Sequence, residues 1–91
     1  MTIIYTGQLA ATVGISEETI DLAVGTTLGP LIDQLVSKHG DAFANLLRND
    51  EGDLRSTLLV ILDGTQATGD RTSLSLDNVT ELMLMTPIAG G

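Results

Sequence analysis

Leu28-Gly29-Pro30-Leu31-Ile32-Asp33-Gln34-Leu35-Val36-Ser37-Lys38-His39-Gly40 carries the clearest periodic signal in the chain. Leu28, Leu31, Ile32, Leu35 and Val36 recur at i, i+3, i+4, i+7 and i+8, which lays one apolar stripe along an α-helix. Thr26 or Thr27 can cap its start. Pro30 falls in the first turn, where the amides have no intrahelical acceptor to lose. Gly40 suits the C-terminal stop, and His39 sits where the helix dipole favours a cation. A helix with one apolar face needs another layer to cover it.

The segments on either side supply that layer. Upstream, Thr2-Ile3-Ile4-Tyr5-Thr6 is rich in β-branched residues, stops at Gly7 and reads as a strand. Gly7 to Glu18 is small and polar and reads as a loop or wide turn. Thr19-Ile20-Asp21-Leu22-Ala23-Val24 alternates with period 2, placing Ile20, Leu22 and Val24 on one face of a second strand that Gly25 ends.

Downstream, Asp41 can cap a short second helix with Phe43, Leu46 and Leu47 facing inward. Asn49-Asp50-Glu51-Gly52-Asp53 lacks the ligand spacing of a calcium loop and reads as a solvated turn. Thr57-Leu58-Leu59-Val60-Ile61-Leu62 is a nearly continuous apolar run, as expected of a strand covered on both faces. Asp63-Gly64 turns it into a short edge strand at Gln66-Ala67-Thr68. Leu74, Leu76 and Val79 are expected to plug one end of the core. Glu81-Leu82-Met83-Leu84-Met85 is the last strand, apolar on both faces, with core as the expected role of each. The order is strand, strand, long helix, short helix, strand, short strand, strand. With the helix packed across one sheet face and the outer two strands of the sequence paired in parallel at the centre, this is an α+β chain of the β-grasp, or ubiquitin-like, type: a mixed sheet of four to five strands on one main helix. The expected organisation is a domain over residues 1–86 and an extended, flexible tail over 87–91.

Composition narrows the chemistry. The 91 residues suit a single domain. The 43% hydrophobic and 18% charged fractions fit a packed protein, and with Tyr5 and Phe43 the only aromatics, Leu, Ile and Val must build its core. Twelve acidic residues against four basic ones give a net charge of −8, with none of the Lys/Arg clustering that nucleic-acid phosphates require. The acidity favours solubility and steering toward a basic partner surface. There is no cysteine, hence no disulfide, thiolate nucleophile or cysteine metal site. One histidine, His39, does not make a metal cluster or a catalytic triad. Asp63, Asp70, Asp77 and Glu81 sit near turns and read as a solvated acidic rim, so neither autonomous catalysis nor a bound metal or cofactor is expected. No apolar run reaches the roughly 20 residues of a membrane helix, and no signal-peptide pattern opens the chain. A cytoplasmic location without membrane association is expected.

The last residues, Thr86-Pro87-Ile88-Ala89-Gly90-Gly91, add a specific signal. Two glycines together at a C-terminus arise by chance in about one chain in 200. Without Cβ atoms they extend freely and pass through channels too narrow for side chains. The α-carboxylate of Gly91 then becomes a reactive group on a thin stalk, suited to a carrier that another enzyme loads.

Several stretches along the whole chain, together with that ending, resemble the prokaryotic ubiquitin-like sulfur carriers of the MoaD/ThiS type. They are the Ile-rich first strand, Gly25-Thr26-Thr27-Leu28 at the helix start, Gly52-Asp53-Leu54-Arg55, the Asp63-Gly64 turn, and Pro87-Ile88-Ala89-Gly90-Gly91. That family includes the small subunit of molybdopterin synthase and the carriers of thiazole and cysteine synthesis. The chain departs from its pattern in having Asp63 where Asn is usual, Leu76-Asp77-Asn78-Val79-Thr80-Glu81 in place of a Gly-Asp-Glu element, and Thr86 in place of the first proline of the tail.

The resemblance implies a mechanism. Gly91 is adenylated by an activating enzyme of the ubiquitin-activating type, which uses ATP, and then receives sulfur as a thiocarboxylate. Thr86, Pro87, Ile88, Ala89 and Gly90 form the tail that enters the acceptor, in first place the large subunit of molybdopterin synthase or an equivalent enzyme. Two other readings remain open: a protein modifier joined to lysines through Gly91, and a β-grasp interaction module whose glycines are incidental.

Overall fold

The computed structural model describes residues 1–86. The elements run β1 (Thr2–Tyr5), α1 (Gly7–Val13), β2 (Glu17–Thr19), α2 (Leu28–His39), α3 (Asp41–Leu47), β3 (Leu59–Leu62), β4 (Thr65–Gln66) and β5 (Glu81–Met85). The sheet has five strands in the order β2-β1-β5-β3-β4. β1 and β5 pair in parallel, with Ile3 opposite Leu82 and Tyr5 opposite Leu84. β2 lies antiparallel to β1, and β3 antiparallel to both β5 and β4. This is the mixed β-grasp sheet that the element order predicts.

The main helix forms where its stripe requires. Leu28, Leu31, Ile32 and Leu35 of α2 are fully buried. They share one core with Ile3, Tyr5, Leu9, Ile20, Phe43, Leu47, Leu58, Val60, Leu76, Leu82 and Leu84. Thr27 occupies the position before the helix without a side-chain cap, while the Thr26 hydroxyl donates to the Ala23 carbonyl at 2.7 Å. Gly40 adopts φ 94° and donates to the Val36 carbonyl, closing α2 and opening α3. Asp41 is therefore the first residue of α3 and not its cap. The Leu62-to-Thr65 connection has φ 47° at Asp63 and 85° at Gly64, the pair of left-handed residues that matches hairpin twist.

Further expectations change, among them the start of β3, which is Leu59 and not Thr57. Gly7 to Val13 is a helix where a loop is expected; Leu9, fully buried, anchors it, and Gly14 ends it at φ 86°. The second strand is Glu17–Thr19, earlier and shorter than Thr19–Val24. Ile20 and Leu22 still turn toward the core, but Val24 is 95% exposed. Residues 20–24 lie outside any strand, because the pairing of β2 with β1 ends at Thr19 opposite Thr2. β4 is Thr65–Gln66, ahead of Gln66–Thr68. Finally, β3 and β5 are covered on one face only: Leu59, Ile61, Met83 and Met85 stay half-buried, outside the core cluster.

The open sheet face and the exit of the tail

Because side chains alternate across a strand, the face opposite α2 can be assembled from the register. Ile4 pairs with both Glu17 and Met83, Met83 with Ile61, and Ile61 with Gln66. These five residues form one row across all five strands, with an apolar centre of Ile4, Met83 and Ile61. Met85 beside Leu59 extends the apolar surface by one row. No helix of the described residues is placed over it. Glu17 is exposed at one end of the long row, and Glu81, paired with Thr2, is half-buried at the start of β5.

β5 is the central strand, and Thr86 follows it directly, half-buried. The chain therefore leaves the sheet from its middle, beside Met85 and Leu59. The Thr6 hydroxyl donates to the Leu84 carbonyl at 3.2 Å, tying the last residues of β5 to the residue that follows β1. Of the tail residues singled out in the sequence, only Thr86 is described. Pro87, Ile88, Ala89, Gly90 and Gly91 lie outside the described residues.

At the other end of β5, Asp63 clasps the strand. Its carboxylate accepts from the Thr80 amide and hydroxyl at 3.2 and 2.7 Å, and from the Glu81 amide at 2.9 Å. The Thr80 contacts and the Glu81 amide hold its carboxyl below the usual range. Asp70 accepts from the Thr72 and Ser73 hydroxyls, and these bonds lower its carboxyl in the same way. Asp77 accepts from the Gly25 amide at 3.0 Å. Of the acidic rim expected of Asp63, Asp70, Asp77 and Glu81, the first three are exposed and each also pins a turn, whereas Glu81 is half-buried at the start of the central strand.

A side-chain cluster that composition does not reveal lies on the helix side. The Glu18 side chain, 7% exposed, accepts from the Tyr5 hydroxyl at 2.6 Å, approaches His39 Nε2 at 2.6 Å and pairs with Lys38. Tyr5, His39 and Phe43 meet edge to face, with centroids 5.3–5.8 Å apart. Burial pushes the Glu18 carboxyl up, but the Lys38, Tyr5 and His39 contacts outweigh it and bring it down to about 2. Burial first, then the bond and charge of Glu18, raise the Tyr5 hydroxyl far above its ordinary value. His39 thus does more than complement the helix dipole: it helps satisfy a buried carboxylate. No sequence period could have joined positions 5, 18, 38 and 39, which meet only once β1, β2 and α2 are packed.

Among the described residues no group of three or more His, Cys, Asp or Glu is arranged to hold a metal. None of their helices is long and apolar enough to cross a membrane. Asn49 Oδ1 accepts from the Glu51 and Asp53 amides, a turn stabilised by its own side chain.

The architecture is shared with solved structures. SAMP1 from Haloferax volcanii is 26% identical with a TM-score of 0.84, over 99% of this chain and 97% of that one. Urm1 from Sulfolobus solfataricus gives 20% identity and a TM-score of 0.67, over 96% and 100%. A Pyrococcus furiosus protein described as molybdopterin converting factor subunit 1 gives 18% and 0.64, over 96% and 95%. No curated protein matches the sequence. The model of the ThiS family matches residues 3–91, nearly the whole length and through the terminal diglycine, so the chain belongs to the ThiS family.

Proposed function

We propose that this protein is a carrier whose C-terminal glycine is activated and loaded with sulfur. The observation that carries the reading is the position of β5: the central strand of the sheet runs into Thr86 and from there into Pro87-Ile88-Ala89-Gly90-Gly91. The end of that strand, at the centre of the sheet, is held at a defined distance from any surface that grips the sheet. The bare face of Ile4, Leu59, Ile61, Met83 and Met85 offers such a grip beside the exit. An apolar patch ringed by basic residues would complement it, given Glu17, Glu81 and the net charge of −8.

The chemistry follows from the carboxyl group. A carboxylate is a poor acyl donor; an adenylating enzyme of the ubiquitin-activating type joins it to AMP from ATP, releasing pyrophosphate. A sulfur donor then displaces AMP and leaves a thiocarboxylate on Gly91. Gly90 and Ala89 allow close approach in the partner's channel, while Pro87 stiffens the exit. The acceptor is an enzyme of sulfur-containing cofactor synthesis, in first place the large subunit of molybdopterin synthase, with thiamine or cysteine synthesis as alternatives. The carrier binds no cofactor of its own, and the site of action is the cytoplasm.

A second reading, conjugation to protein lysines through Gly91, is favoured by the 26% identity to SAMP1; a Haloferax volcanii structure at 24% identity is named small archaeal modifier protein 1. Both readings share the adenylation step. The test is ATP–pyrophosphate exchange with an activating enzyme, followed by mass spectrometry of the C-terminal fragment after a sulfur donor is added. A shift confined to the Gly91 fragment and trapped by alkylation supports the carrier. Exchange with no sulfur on Gly91, accompanied by conjugates of higher mass, supports the modifier. No exchange with a competent enzyme overturns both.

A further inference from the structure

Lys38 is the only lysine among the 91 residues. Its side chain is 55% exposed, while the carboxylate it pairs with, Glu18, is 7% exposed and anchored by Tyr5 and His39. The amine is thereby fixed at the C-terminal end of α2, on the helix layer, away from the bare sheet face. The other amine of the chain, the α-amino group of Met1, donates to the Ile20 carbonyl at 2.9 Å and is partly buried. A copy engaged through its open face therefore still presents Lys38.

We infer that Lys38 is the site at which one copy of this protein accepts the activated C-terminus of another. The inference rests on the reading that Gly91 is activated as an acyl donor. Lys38 Nζ, after losing one proton to water, attacks the Gly91 carbonyl carbon of the donor adenylate. The N–C bond forms, the bond from that carbon to the phosphate oxygen breaks, and AMP leaves with the electron pair. A second proton leaves the nitrogen to give the amide. ATP, consumed in forming the adenylate, is the only co-reactant, and nothing is oxidised or reduced.

The test separates acceptor from activation. The donor is the full chain carrying a C-terminal thioester of a small thiol; the acceptor is the full chain lacking Gly91. After trypsin, linkage at Lys38 leaves residues 72–91 of the donor attached to an uncleaved Lys38 peptide, because Arg71 precedes that segment. The expected result is one dominant covalent dimer linked there, reduced about tenfold or more in K38R. Two acidic copies repel each other, so its rate should rise with added salt. A dimer that persists in K38R, or one linked mainly at Met1, overturns the assignment, as does the absence of any dimer. Since the thioester bypasses adenylation, ATP–pyrophosphate exchange on the native chain tests the carrier reading separately: its failure sinks that reading, and failure of the dimer assay sinks only the Lys38 assignment.

Discussion

Glu18 shows how much a single residue carries in a domain of this size. Three contacts converge on its carboxylate, joining β2 to β1 and to the end of α2. Glu18→Gln keeps the shape but removes the charge, and should destabilise by about 1–3 kcal/mol, or several degrees in Tm for a chain of this length. The pH dependence has a definite sign. The folded value, about 2, lies below the ordinary 4.5. The stabilisation is thus fully present above that ordinary value and is lost as pH falls through the folded one. Thermal melts of the wild type should therefore drop between these limits, and those of Glu18→Gln should drop less; equal slopes would refute the role. In the tail the controlling property is the missing Cβ. Gly90→Val should slow sulfur loading by about tenfold or more, the scale on which a small misplacement of a reacting group acts, with Tm unchanged. Wild-type loading kinetics would reject the narrow channel.

Among the elements, α2 and the two faces of β5 make opposite predictions. Leu35 sits in the stripe that covers the sheet and is fully buried. Leu35→Ala should cost about 2–5 kcal/mol through lost burial and a residual cavity, read as a lower denaturant midpoint. Met83 lies one residue from buried Leu82 and Leu84 but on the bare face. Met83→Glu should leave the midpoint nearly unchanged and weaken binding to the activating enzyme at least about tenfold, as removal of an interface anchor does. Equal loss of stability in both variants would mean that the open face is core. This asymmetry was only half legible in the sequence. Glu81-Leu82-Met83-Leu84-Met85 shows two apolar faces, but a linear pattern does not say how many layers will cover them. α1 was hidden for a related reason: Gly7-Gln8-Leu9-Ala10-Ala11-Thr12-Val13 has too few apolar positions to set a period, and buried Leu9 acquires its partners only in the packed domain.

At the scale of the whole molecule, the net charge of −8 should govern encounter with partners. Association with a basic docking surface should slow as ionic strength rises, since screening acts within about 8–10 Å at ordinary salt. Stopped-flow measurements across a salt series check this, and a salt-independent rate would place the acidity outside recognition. The order of the main strands and helices, the diglycine ending and the exclusion of cysteine chemistry were all determined by the sequence alone. Each depends on local period, local turn chemistry or residue type. The extent of the second strand, the bare face of Ile4, Ile61 and Met83, and the meeting of Tyr5, Glu18, Lys38 and His39 were decided only by the tertiary structure. They depend on which strand lies beside which and on the single face that α2 covers, and those distances are set by packing across the chain rather than along it.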